Sequence, residues 1–188
     1  MVRWEPDSRG RLEQAALALY GERGFENTTV AEIAARAGLT ERTFFRYFAD
    51  KREVLFSGAG LLQEVLVGTV VGAADAVSPI DAVILALEAA GAVLEERRES
   101  ARVRQSIIAA NTELQERELI KLATLAAALA DALGRRGVPG LEAALTAEAG
   151  IAVFKVGFER WVDTGNRRSL PELIRDSLDV LKAVTAGG

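Results

Sequence analysis

Thr40, Glu41, Arg42 and Thr43 stand in a row where a helix is expected to open. Their side chains can read the edges of flat, hydrogen-bonding rings. An arginine fork donates two parallel hydrogen bonds to guanine O6 and N7, and a carboxylate such as Glu41 accepts from cytosine N4. Glu41 serves equally well by favouring the positive end of its own helix. Thr43 can meet a phosphate or a thymine methyl group. A few positions on, Phe45, Arg46, Tyr47 and Lys51 add two rings and two cations. The Tyr47 hydroxyl can reach a phosphate oxygen, and so can the Lys51 ammonium at the start of a following helix with free N–H groups. Arg46, like Glu41, reads equally as a solvated or paired charge. Other chemistry is sparse. The 188 residues include no His and no Cys, which removes the commonest general base, thiol catalysis, disulfides and the usual zinc ligands. There is no Gly-rich phosphate loop and no carboxylate cluster on one helical face. Neither an enzyme nor a bound cofactor or metal is expected.

The elements that must position these groups are helices. Apolar residues recur with helical period almost everywhere, and no alternating strand with a hairpin signal is found. A first helix is predicted over Ser8–Arg23, with Leu12, Ala15, Ala16 and Leu19 as its stripe, Asp7 or Ser8 as cap, and Gly24 as a left-handed stop. A second begins at Thr28-Thr29, where Thr29 and Glu32 have capping-box spacing. Thr28 and Thr29 read both as cap and as phosphate contacts, and the cap role alone also accounts for them. Gly38 ends this helix and Leu39 anchors the turn. Thr40 caps a third, short helix. Its Phe44 and Phe48, four apart, belong to the core, leaving Phe45 and Tyr47 to point elsewhere. Two short helices joined by Ala37-Gly38-Leu39-Thr40 have helix-turn-helix geometry, whose second helix enters the DNA major groove by its N-terminal residues. Arg3 and Trp4, ahead of the first helix, could add a DNA-touching arm.

The run Gly24-Phe25-Glu26-Asn27-Thr28-Thr29-Val30, then Ile33-Ala34, Ala37 to Thr40, Thr43 to Phe48 and Lys51, resembles the signature of the TetR family of bacterial regulators. The resemblance covers about 45 residues and is specific as an ensemble. It implies an Ω-shaped homodimer, usually a repressor, on a palindromic operator in double-stranded DNA. A small molecule in the C-terminal domain would change the spacing of the two DNA-reading heads. Family contacts carry over onto Thr29, Thr40, Arg42, Thr43, Phe45, Tyr47 and Lys51. Phe45 departs from the pattern: the family commonly has Tyr there, with a hydroxyl that helps hold a phosphate, whereas Phe45 can only pack on sugar or a thymine methyl. The family often has a small residue where Arg42 stands, so Arg42 reports a sequence preference of this protein's own.

The remaining chain is predicted as six more helices, giving an all-α fold of about nine. The fourth runs from near Lys51 to about Ala76, weakened by Gly58, Gly60, Gly68 and Gly72. Ser78-Pro79-Ile80-Asp81 restarts a fifth. The sixth spans about 100–111, the seventh 116–133, the eighth 141–163 and the ninth ends near Val184. A DNA-binding domain over 1–52 and an effector and dimerisation domain over 53–188 follow. Phe154, Phe158 and Trp161 share one helical face, as core or dimer interface on one reading and as a ligand-cavity wall on the other. Arg104, Ile107, Ile108 and Asn111 on the sixth helix stand in the same position, for an effector that is largely apolar or aromatic. Ile151 and Val162, with Leu173, Ile174, Leu178 and Leu181, supply apolar stripes for an isologous four-helix dimer interface.

Composition sets outer bounds. Hydrophobic residues are 49% and charged residues 27%, with a net charge of −4. Residues 1–56 hold nine basic and nine acidic side chains, so the acidity lies behind them. There is no secretory signal at Met1–Gly10 and no run of roughly 18 uncharged apolar residues. The expectation is a soluble cytoplasmic protein without a membrane partner. A helical ligand-binding or adaptor protein that keeps the fold without reading DNA is the competing reading.

Overall fold

The computed structural model describes residues 7–186, so Arg3 and Trp4 lie outside the described residues. Within them the chain is all-helical, and the nine expected helices are present. The fourth is interrupted at Ser57-Gly58, which makes ten segments. The chain divides into two compact units. The first comprises the residues up to Gly58 together with Val103–Glu118; the second comprises Ala59–Arg102 and everything from Leu119 on.

The first unit contains α1 (Ser8–Arg23), α2 (Val30–Arg36), α3 (Glu41–Tyr47) and α4 (Glu53–Phe56). It also takes the end of α7 (Arg98–Ala109) and the start of α8 (Thr112–Arg135). Its core joins Leu12, Ala16, Leu19, Ile33, Phe44 and Phe48 to Val54, Leu55 and Phe56. Ile107, Ile108 and Leu114 from the α7–α8 corner complete it. Burying such side chains is worth about 1.5–3 kcal/mol each, so the corner is a structural part of this unit. Three ion pairs fasten it: Arg104 to Glu118, Arg117 to Glu53, and Arg52 to Glu113. α8 starts one turn earlier than expected because the Asn111 carbonyl accepts from the N–H groups of Leu114 and Gln115.

The second unit is organised on α6 (Pro79–Glu95), against which α5 (Ala59–Gly72), α9 (Gly140–Val162) and α10 (Leu170–Thr185) pack. Ser78 caps α6, and a Ser169–Glu172 capping box opens α10. Glycines let the helices approach closely. A Cβ on Gly150 of α9 would collide with Val83 of α6, and one on Gly157 would lie 3.3 Å from Ile174 of α10. Two arginines close the far end of α9. Arg98 donates to the carbonyls of Trp161 (2.8 Å) and Asn166 (2.7 Å), and Arg102 to those of Val162 (2.9 Å) and Asp163 (3.0 Å). Helix C-terminal carbonyls lack intrahelical donors, and cations there also oppose the negative end of the helix dipole.

By length and composition alone the stretch Glu53–Gly72, with mean hydropathy 1.7, is apolar enough to cross a membrane. It carries Gln63 and Glu64 and is broken at Ser57-Gly58.

Candidate nucleic-acid interface and effector region

The geometry of α2, turn and α3 follows from three local devices. Thr29 and Glu32 form the expected capping box: the Thr29 hydroxyl oxygen accepts from the Glu32 N–H (3.3 Å), and the Glu32 carboxylate accepts from the Thr29 N–H and hydroxyl (2.9 Å each). The Thr29 donors hold the Glu32 carboxyl below its ordinary range, with Arg23 adding to the effect. Gly38 then takes φ +66°, a conformation that favours glycine, and the Leu39 N–H returns to the Ala34 carbonyl at 2.8 Å. Finally the Thr40 hydroxyl oxygen accepts from the Thr43 N–H at 3.2 Å and opens α3.

Phe44 and Phe48 are buried and pin α3 to the core, while Phe45 is 55% and Tyr47 39% exposed. Thr29, Thr40, Glu41, Arg42 and Arg46 are exposed, and Thr43 is half-buried with its hydroxyl 3.0 Å from that of Thr40. Arg46 donates to the Tyr47 hydroxyl at 2.9 Å, its guanidinium 4.8 Å from the ring centroid. Those two side chains therefore act as a pair. An open groove beside the turn is lined by Arg11, Gln14, Ala15, Ala18, Arg36, Ala37 and Gly38.

Two expected contacts are placed differently. Thr28 is 1% exposed, and its hydroxyl donates to the Gly24 carbonyl at 2.9 Å. It is an interior strut. Lys51 turns its ammonium onto the carbonyls of Phe25 (2.9 Å) and Thr28 (3.0 Å), 4.4 Å from the Phe25 ring centroid. It braces the α1–α2 connection instead of presenting its donors outward, and it precedes α4 in a turn. Tyr20 seals the same spot by donating to the Lys51 carbonyl at 2.6 Å, and burial pushes its phenol far above the ordinary value. In the turn leading into α4, the Asp50 carboxylate accepts from the N–H groups of Arg52 (2.8 Å) and Glu53 (3.1 Å). Burial would raise the Asp50 pKa, but the Arg52 side chain and these N–H groups together lower it.

The candidate effector residues fall into two groups. Arg104, Ile107, Ile108 and Asn111 belong to the first unit and are occupied there. Arg104 donates to the Leu55 carbonyl (2.6 Å) and to Glu118 (2.9 Å); Asn111 donates to the Ile107 carbonyl (2.7 Å); both isoleucines are core. The apolar face of α7 that suggests a ligand site is thus filled by the packing of its own unit. Phe154, Phe158 and Trp161 belong to the second unit and form an aromatic row, with successive centroids 5.7 and 5.5 Å apart. Trp161 is fully buried, and its indole N–H has no hydrogen-bond partner among the described residues. A buried donor left unmatched costs about 1–3 kcal/mol. Arg98 lies over the ring, 5.6 Å from its centroid.

The expected dimer residues are turned largely inward. Ile151, Leu173, Ile174 and Leu178 are buried in the core of their own protomer, and Val162 and Leu181 are partly buried against it. The outward apolar positions are Leu141, Leu145 and Val156 on α9 with Val180 and Val184 on α10. Both helices carry apolar residues on more than one face, and periodicity alone does not say which face turns inward.

Comparison with known proteins adds the family. Residues 13–57 match the model of bacterial regulatory proteins of the tetR family, and residues 77–186, more than half of the chain, match that of the MftR C-terminal domain. The transcriptional regulator TcmR of Streptomyces glaucescens is 40% identical over 57 residues, 30% of this chain and 25% of that protein. The transcriptional repressor KstR2 of Mycobacterium tuberculosis is 40% identical over 47 residues, 25% of this chain and 24% of that protein. Each of these matches thus spans only about a quarter of the relative. Over nearly the whole length, the fold is similar to that of the regulator FadR of Bacillus subtilis, solved with stearoyl-CoA: TM-score 0.65 and 21% identity, covering 92% of this chain and 96% of that one.

Proposed function

Since the chain belongs to the TetR family of transcriptional regulators, we propose that it is a homodimeric repressor of the palindromic-operator type, released from DNA by a small apolar or aromatic molecule. The observation that carries this reading is the presentation of α3. Phe44 and Phe48 anchor one side of it, and Arg42, Phe45, Arg46 and Tyr47 stand exposed. A short helix held in this way can enter a major groove with its first turn toward the bases. The exposed stripe of Leu141, Leu145, Val156, Val180 and Val184 supports pairing of two copies through α9 and α10. Two heads on one dimer raise each other's effective concentration at adjoining half-sites. For the effector, the row Phe154–Phe158–Trp161 with its unmatched indole N–H supports an apolar ligand bearing a hydrogen-bond acceptor. The stearoyl-CoA complex of FadR is consistent with a long apolar ligand in this fold. Release requires that the effector bind the DNA-incompetent state more tightly.

The test is selection of sites from random duplex DNA by the purified full chain, followed by mobility-shift titration. Recovered sites with two inverted half-sites are expected. Failure to enrich any sequence would favour the competing reading, a helical binding protein that does not read DNA.

A further inference from the structure

In the first unit, one cation differs from all the rest. Among the described residues there, Arg42 alone has no hydrogen-bond or ion-pair partner. Arg11 and Lys51 are held on backbone carbonyls, Arg23, Arg36 and Arg52 on carboxylates, and Arg46 on Tyr47. The remaining arginines of that unit are paired in the same ways. Arg42 is also exposed, stands in the first turn of α3, and lies three positions before Phe45, which is 55% exposed. Residues three apart share a helical face, so a free guanidinium and a bare aromatic ring point out together.

We infer that this protein concentrates its sequence discrimination on Arg42, which reads one guanine in each half-site with a thymine methyl near Phe45, and that its general grip on phosphates is weak. The inference rests on the DNA-binding reading above and adds what is read and how. Only a fork with its donors unspent can give guanine O6 and N7 two hydrogen bonds without first breaking others. The second half follows from charge. Residues 7–58 contain eight basic and eight acidic side chains. Exposed pairs such as Arg36–Glu22 and Arg23–Glu32 are individually weak and can swing toward a phosphate. Doing so uncovers a carboxylate beside the same backbone, so little net counterion release results.

Site selection with the full-length wild type and with Arg42→Ala and Arg42→Lys, together with salt titration, tests this. For the wild type, one strongly preferred G·C pair in each half-site is expected. Arg42→Ala should bind the wild-type site about 10- to 100-fold more weakly and lose preference at that pair alone. Arg42→Lys keeps the charge but not the fork, and should lose the same preference. The slope of log K against log salt should be shallower than about −4. Sites recovered by Arg42→Ala with the guanine still preferred would overturn the inference while leaving DNA binding intact, as would a steeper slope. Failure of the wild type to select any site would overturn both. Unchanged thermal melting of both variants shows that the effects are on reading and not on folding.

Discussion

Lys51 and Arg42 both bring a positive charge to the first unit, and their surroundings decide what each charge is for. Removing the Lys51 ammonium strips the Phe25 and Thr28 carbonyls of a shared donor. The Phe25 carbonyl keeps the Thr28 N–H at 3.3 Å, but leaving the Thr28 carbonyl unmatched costs about 1–3 kcal/mol. Lys51→Ala is therefore expected to lower the denaturant midpoint by that order, whereas Arg42→Ala should stay within about 0.5 kcal/mol of the parent. Urea melts of the two variants check this, and equal stability would show that Lys51 is not a brace. Comparing DNA affinity for the pair separates reading from folding only once this stability difference is known. The sequence makes Phe44, Phe48 and both threonine caps legible, because each depends on neighbours three or four residues away. It hides the fate of Lys51, because its partners lie 23 to 26 positions earlier with no local pattern to announce them.

At the level of elements, the opening of α2 depends on a charged carboxylate. Glu32 has its folded pKa lowered by the Thr29 N–H and hydroxyl. Its contribution is thus fully present above the unfolded value of about 4.3 and fades as pH falls through the lowered folded one. Glu32→Gln keeps a capping acceptor and removes the titration. It is expected to flatten the acid side of the stability curve of the first unit, measured by helical circular dichroism from pH 2 to 6. An unaltered acid limb would show that the box does not depend on ionisation. Helix positions were legible to within a few residues from caps and glycines. The assignment of residues 103–118 to the first unit was not, because Ile107, Ile108 and Leu114 meet partners that local periodicity cannot identify.

For the molecule as a whole, the proposed pairing makes a prediction that does not depend on the operator. Leu145→Glu with Val184→Glu places carboxylates on two of the most exposed apolar positions of α9 and α10. The variant is expected to sediment as a monomer, retain its helical signal, and lose most of its affinity for a two-half-site duplex. A variant that still sediments as a dimer would move the interface elsewhere. The sequence offers two apolar faces for such pairing, one through Ile151, Leu173, Ile174 and Leu178 and one through Leu145 and Val184. Both stripes are apolar, and only the packing of α6 against α9 and α10 decides which is spent inside.

The missing side chain of Gly150 has a consequence for motion. Val83 occupies the space a Cβ would fill, so the two helices are notched together at one point. Sliding by about one turn would set Val83 against Ala147 or Val153, three positions away on the same face of α9, where no notch exists. Gly157 against Ile174 fixes α9 to α10 in the same fashion. The two contacts key these three helices against sliding past one another, so a deformation caused by a bound molecule meets less resistance in the helices around them.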